Sequence, residues 1–155
     1  MGEFRRQALT AMLVAVAFTA VANHGMAQEM ARLRIELTDH PGGLRLVNPA
    51  SAPITIHAAI EVEKREERGW VPVETEFHAV ARCDGRAAPE QVEVAAAATI
   101  EVVPWRGFSC SGQCNYVCRG NVYYGPGTFR FVVTTVPTGE RLISPAFMLP
   151  RRPLS

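Results

Sequence analysis

The chain has almost no charge imbalance to offer a partner. Its 155 residues carry 16 basic and 15 acidic side chains, a formal net charge of +1. A nucleic-acid binder needs a basic surplus to release counterions, so that class is excluded as an expectation, and so is long-range steering by anionic lipid. Lysine is nearly absent, Lys64 being alone, and every other base is arginine. No cysteine precedes Cys83, which argues against a lipid anchor at the N-terminus. No proline precedes Pro41, the first of eleven that are spread to Pro153. Proline inside a helix costs about 3 kcal/mol, so this spacing leaves little room for long helices. The enzyme signatures are missing too. No G-x-S-x-G elbow occurs, and no papain-like sequence surrounds a cysteine.

A run long enough to span a bilayer is also lacking. Residues 8–22 are uncharged, but a span needs about 20 apolar residues. Arg5 and Arg6 stand before that run, and Gly25 and Ala27 supply small residues at the −3 and −1 positions of a cleavage site. Residues 1–27 therefore read as a secretory signal peptide cleaved after Ala27, with residues 20–22 offering a second site. The arginine pair is compatible with a twin-arginine signal, and the general secretory route is the default expectation. The expected product is a bacterial protein of the periplasm or exterior, without a membrane anchor after cleavage and monomeric. Its domain runs over residues 28–149, and residues 150–155 form a flexible tail.

What the chain has in plenty is alternation. Leu33, Ile35 and Leu37 alternate with Arg32, Arg34 and Glu36. Ile54, Ile56, Ala58, Ile60 and Val62 face one way, with Thr55, His57, Ala59 and Glu61 facing the other. Period two is the signature of half-buried strands. Further strands are expected at 44–48, 70–73, 91–94, 99–103, 128–136 and 142–149. Residues 64–69 are expected as a charged hairpin loop, and residues 40–43, 84–85, 125–127 and 137–139 as turns. Phe77, Ala79 and Ala81 continue the alternation toward Cys83. Seven to nine short strands with turns every 8–12 residues predict an all-β, antiparallel, Ig-like β-sandwich.

The cysteines are Cys83, Cys110, Cys114 and Cys118, three of them within nine residues. An even count in a small exported protein predicts two disulfides, with three pairings open. Pairing of Cys83 with Cys110 or Cys118 is favoured, and it would remove about 3–4 kcal/mol of unfolded-state entropy. The C-x3-C-x3-C spacing could also present soft ligands to copper or zinc, but glycines disfavour the helix this needs, and no metal or other cofactor is expected.

The 105–124 segment around these cysteines holds Trp105, Phe108, Tyr116, Tyr123 and Tyr124. Aromatics on a long stapled loop suit recognition, because they offer large contact area at small entropic cost. They equally suit covering the open end of a sandwich, and Trp70 and Trp105 suit packing between the sheets. Glu61 with Glu63, and Glu74 with Glu76, are carboxylate pairs on one strand face, the arrangement a glycosidase needs. His40, His57 and His78 read as solvent-facing polar residues. The balance predicts a non-catalytic binding or accessory protein acting through residues 105–124 on a protein or small-molecule partner. A secreted protease inhibitor and a periplasmic metal handler are the alternatives.

Several stretches together resemble small exported bacterial Ig-like β-sandwich proteins of unknown function. They are Leu44-Arg45-Leu46-Val47-Asn48 before a proline turn, Gly69-Trp70-Val71-Pro72-Val73, Pro104-Trp105-Arg106-Gly107-Phe108-Ser109-Cys110, and Gly125-Pro126-Gly127-Thr128-Phe129-Arg130-Phe131-Val132-Val133. A more distant likeness is to intracellular proteinase inhibitor-type domains, which lack the cysteine loop. The resemblance implies the sandwich and no catalytic residues.

Overall fold

The computed structural model describes residues 32–110, 113–114 and 120–151. The expected signal peptide and its cleavage site, Tyr116, Cys118 and the last four residues of the tail lie outside the described residues. Among those described there are ten strands and no helix, so none long and apolar enough to cross a membrane.

The strands are β1 (Arg34–Leu37), β2 (Leu44–Val47), β3 (Ile54–His57), β4 (Glu61–Glu66), β5 (Gly69–Val73), β6 (Gln91–Val94), β7 (Thr99–Val102), β8 (Gly127–Val136), β9 (Arg141–Ile143) and β10 (Phe147–Leu149). They form a three-stranded sheet, β1-β2-β7, and a seven-stranded sheet, β5-β4-β8-β3-β6, with β9 and β10 also paired to β8. Every pairing is antiparallel. One core joins both sheets: Leu44, Leu46 and Val102 from the first pack with Ile56, Val62, Phe129, Phe131, Val133 and Phe147 from the second. The all-β, antiparallel, two-sheet fold expected from alternation is the observed one, with ten strands among the described residues where seven to nine were expected.

The extra strands arise where a long alternating run changes partner. Residues 54–62 keep their alternation, with Ile56, Ala58, Ile60 and Val62 buried. The run nevertheless splits, because residues 58–60 leave β8 and pair with residues 77–79. Ile60 N donates to Phe77 O at 2.9 Å and Ala79 N to Ala58 O at 2.8 Å. The expected single strand at 142–149 also divides. Ser144, 6% exposed, stands at the break. Its backbone N–H donates to Phe131 O and its hydroxyl accepts from Phe131 N, both at 2.9 Å. One serine thus satisfies both backbone groups of Phe131 where Pro145 ends β9. The 64–69 hairpin is tighter than expected. Residues 64–66 belong to β4, and Glu66 lies opposite Gly69 across a two-residue turn.

Asn48, 1% exposed, ties the far end together. Its amide donates to the carbonyls of Ala52, Val94 and Ala95 at 2.9–3.0 Å, and its Oδ1 accepts from Ala50 N at 3.0 Å. Residues 95–98 form a turn between β6 and β7, which sends the chain from one sheet to the other.

Candidate functional site

Pro104 follows β7, and the chain enters the 105–124 segment through Trp105. This tryptophan is fully buried. Its ring stands edge-on to Phe129, with centroids 5.2 Å apart, and its Nε1 donates to Phe108 O at 2.7 Å. Its backbone N–H donates to Gly42 O at 2.9 Å. Gly42 has φ +76, and a Cβ there would lie 2.0 Å from Trp105 O, so only glycine permits this approach. Trp105 is therefore a core residue and offers no surface to a ligand, which corrects its candidacy as a binding anchor. An indole with its N–H satisfied packs better between sheets than in water.

Beyond Trp105 the segment is less irregular than its composition suggests. Phe108 and Tyr123 form an antiparallel bridge, flanked by Tyr124 N donating to Gly107 O at 2.8 Å and Ser109 N to Val122 O at 2.9 Å. The two legs thus make a short stem. Its outgoing leg is also fastened to residues 75–78. Glu76 N donates to Ser109 O at 2.9 Å and Thr75 Oγ1 to Phe108 O at 3.2 Å. Asn121 Oδ1 crosses the stem to accept from Cys110 N at 3.1 Å. The Gln113 amide pairs with the backbone of His78, its Nε2 donating to His78 O at 2.7 Å while its Oε1 accepts from His78 N at 3.2 Å. That pair imitates a strand ladder with a side chain.

The aromatics brace this stem. Phe108 and Tyr123 pack with centroids 5.0 Å apart. The Tyr123 hydroxyl donates to Pro150 O at 2.6 Å, which holds the start of the expected tail. The Tyr124 hydroxyl donates to Glu74 O at 2.7 Å. Phe108, Tyr123 and Tyr124 are each half-buried. Val122, 51% exposed, is the large apolar side chain that the stem turns outward, and the sequence reading passed over it.

The disulfide departs from the favoured pairing. Cys83 bonds to Cys114, across a separation of 31 residues, and not to Cys110 or Cys118. The Gln113–His78 pair explains this, since it sets the neighbouring Cys114 beside the chain leading to Cys83. Cys110 is disulfide-bonded as well. Three cysteines are thereby committed to sulfur–sulfur bonds and present no thiolate to a metal.

The first carboxylate pair, Glu61 with Glu63, is also placed. Glu63 on β4 is 5% exposed and accepts from Arg130 Nε at 2.5 Å and from Arg141 Nη2 at 3.1 Å. Glu61 accepts from the same Arg141 nitrogen at 3.0 Å. Burial pushes the Glu63 carboxyl up, but hydrogen bonds and charge from Arg130, then Arg141, outweigh it and hold the group below its ordinary value. That is the state of an ion-paired carboxylate on the sheet's outer face, and a general acid needs the opposite shift. Arg130 also lies over the Trp70 ring, 4.4 Å from its centroid. Trp70 therefore packs on the outer face, not between the sheets. His40 and His57 are exposed and His78 is half-buried.

No known family model matches the chain, and no curated protein matches it.

Proposed function

We propose that this protein is exported and acts as a non-catalytic binding protein, presenting the 105–124 segment to a macromolecular partner. The observation that carries the reading is the double fastening of that segment. Backbone hydrogen bonds tie its outgoing leg to residues 75–78, and Cys83–Cys114 ties it covalently to the next stretch of chain. A segment fixed before association loses little conformational freedom on binding, and preorganisation of this kind raises affinity. The half-buried Phe108, Tyr123 and Tyr124 brace the segment, and Val122 is the exposed apolar side chain it offers. Disulfides at Cys83, Cys110 and Cys114 suit an oxidising compartment, which supports export through residues 1–27 to the periplasm or exterior.

A photo-crosslinking residue at Val122 tests this, with one at Ala96, in the turn at the other end of β7, as control. The expected result is a discrete adduct from Val122 in cell-envelope material, absent from Ala96 and reduced in Cys83→Ser/Cys114→Ser. Adducts from Ala96 alone, or equally from both, overturn the proposal. Titration of the same material against a panel of proteases separates an inhibitor from other binders.

A further inference from the structure

The two ends of the cysteine cluster sit in opposite surroundings. Cys110 is 9% exposed, and its backbone N–H is bonded to Asn121 in the stem. Cys83 is exposed and stands in residues 81–90, which carry no strand. Cys114 is half-buried and lines a cavity of about 160 Å³. Arg82, Arg86, His78 and one carboxylate, Glu76, line the same cavity. Asp84 holds Arg86 at 3.6 Å, and both side chains are largely exposed. We propose that Cys83–Cys114 is an exchange site for a dithiol reductant, while the disulfide at Cys110 is structural. The exchange chemistry stands whatever the segment binds.

Exposed disulfides are the labile ones, since a thiolate must reach one sulfur along the S–S axis. Here the reachable sulfur belongs to Cys83. A thiolate of the donor attacks Cys83 Sγ, forming a mixed disulfide and breaking the bond to Cys114, which leaves as thiolate. The donor's second thiolate then attacks its own sulfur in the mixed disulfide and releases Cys83. The protein gains two electrons, the donor becomes a disulfide, and the two protons of the donor's thiols end on Cys83 and Cys114.

Reduction frees residues 81–89 without dismantling the stem, while Glu90 O still accepts from Ala58 N. Gln113 still pairs with His78, and Ser109 still accepts from Glu76 N. Gln113 is Cys114's neighbour, so that pair keeps the two sulfurs near each other and makes reoxidation intramolecular. The site is thus reversible, and it couples the redox poise of the surroundings to the freedom of the stretch that carries Cys83.

The test is limited reduction of the full oxidised chain with dithiothreitol, then with a thioredoxin-type dithiol protein. Each reaction is quenched by iodoacetamide and mapped by peptide mass spectrometry. Cys83 and Cys114 are expected to be labelled at least ten times faster than Cys110, with the near-ultraviolet signal of Trp105 retained. Equal or faster labelling of Cys110, or loss of that signal when only Cys83 and Cys114 are reduced, overturns the proposal. In Gln113→Ala the equilibrium with dithiothreitol is expected to move about ten-fold toward the reduced form, and an unchanged equilibrium removes the reversibility argument.

Discussion

The two faces of β8 close themselves by different means. Inward, Phe129, Phe131 and Val133 are fully buried among apolar neighbours, with Phe131 stacked on Phe147 at 4.6 Å and Trp105 edge-on to Phe129. Outward, Arg130 is clasped by Glu63 and laid over Trp70, while Arg141 reaches both Glu61 and Glu63. Yet Glu63, at 5% exposed, is as buried as Phe147 at 9%. Burial on the inner face follows from excluding water from hydrocarbon, which changes neither with pH nor through the screening of charge by salt. Burial on the outer face depends on charges finding partners, and such a face responds to both.

The largest expected effect lies inside. Trp105→Ala removes an indole that contacts Phe129, Phe131 and Phe147 and leaves a cavity between sheets. The expected loss is about 3–5 kcal/mol, read as a midpoint shift in urea with unchanged slope. The variant also strips Phe108 O of its Nε1 donor, so the stem should exchange its amide hydrogens faster than β8 does. A loss below about 1 kcal/mol would mean that the inner face is not where the sandwich draws its stability.

The inner face was the legible one. Alternation in residues 54–62 identifies inward residues without knowledge of which strand lies beside which. The outer face required register. Glu63 and Arg130 are 67 residues apart and meet only because β4 pairs with β8 at that offset. The same limit explains the disulfide. Cysteine spacing leaves three pairings open, and the choice falls to a side-chain ladder between Gln113 and His78. Ser144 is a third case, since a serine that stands in for a strand pair looks like any loop serine. Aromatic content singled out the 105–124 segment, but composition cannot separate a ring that braces a stem from one that meets a ligand.

The second expected effect is on the outer face. Glu63→Gln keeps the shape of the side chain and removes the charge that faces Arg130 and Arg141. A loss of about 1–3 kcal/mol at neutral pH is expected, since an arginine is left against a neutral amide in a largely dry position. The pH dependence carries the sharper sign. The folded-state pKa of Glu63 is lowered, so the unfolded chain binds the proton more tightly. The stability this group contributes is fully present above its unfolded pKa, about 4.3, and is lost as pH falls through the lowered folded value. The difference between the native chain and Glu63→Gln should therefore be flat above about pH 5 and shrink below about pH 4. A difference that grows on acidification would mean that burial outweighs the arginines, and the contrast between the faces would narrow.

The smallest effect tests whether the outer aromatic is a packing surface or a partner to charge. Trp70→Leu retains apolar cover on β5 but removes the ring under Arg130, at 4.4 Å, and under Arg65, at 5.6 Å. Its expected cost is about 1 kcal/mol, well short of that at Trp105. Arg130→Met supplies the other edge of a double-mutant cycle, since methionine keeps the stem over the ring without the guanidinium. If the indole acts through its negative face, Trp70→Leu costs less once Arg130→Met is present, with a coupling of about 0.5–1 kcal/mol. Zero coupling would make Trp70 a hydrophobic cover like Trp105, and β8 would then carry one kind of packing on both of its faces.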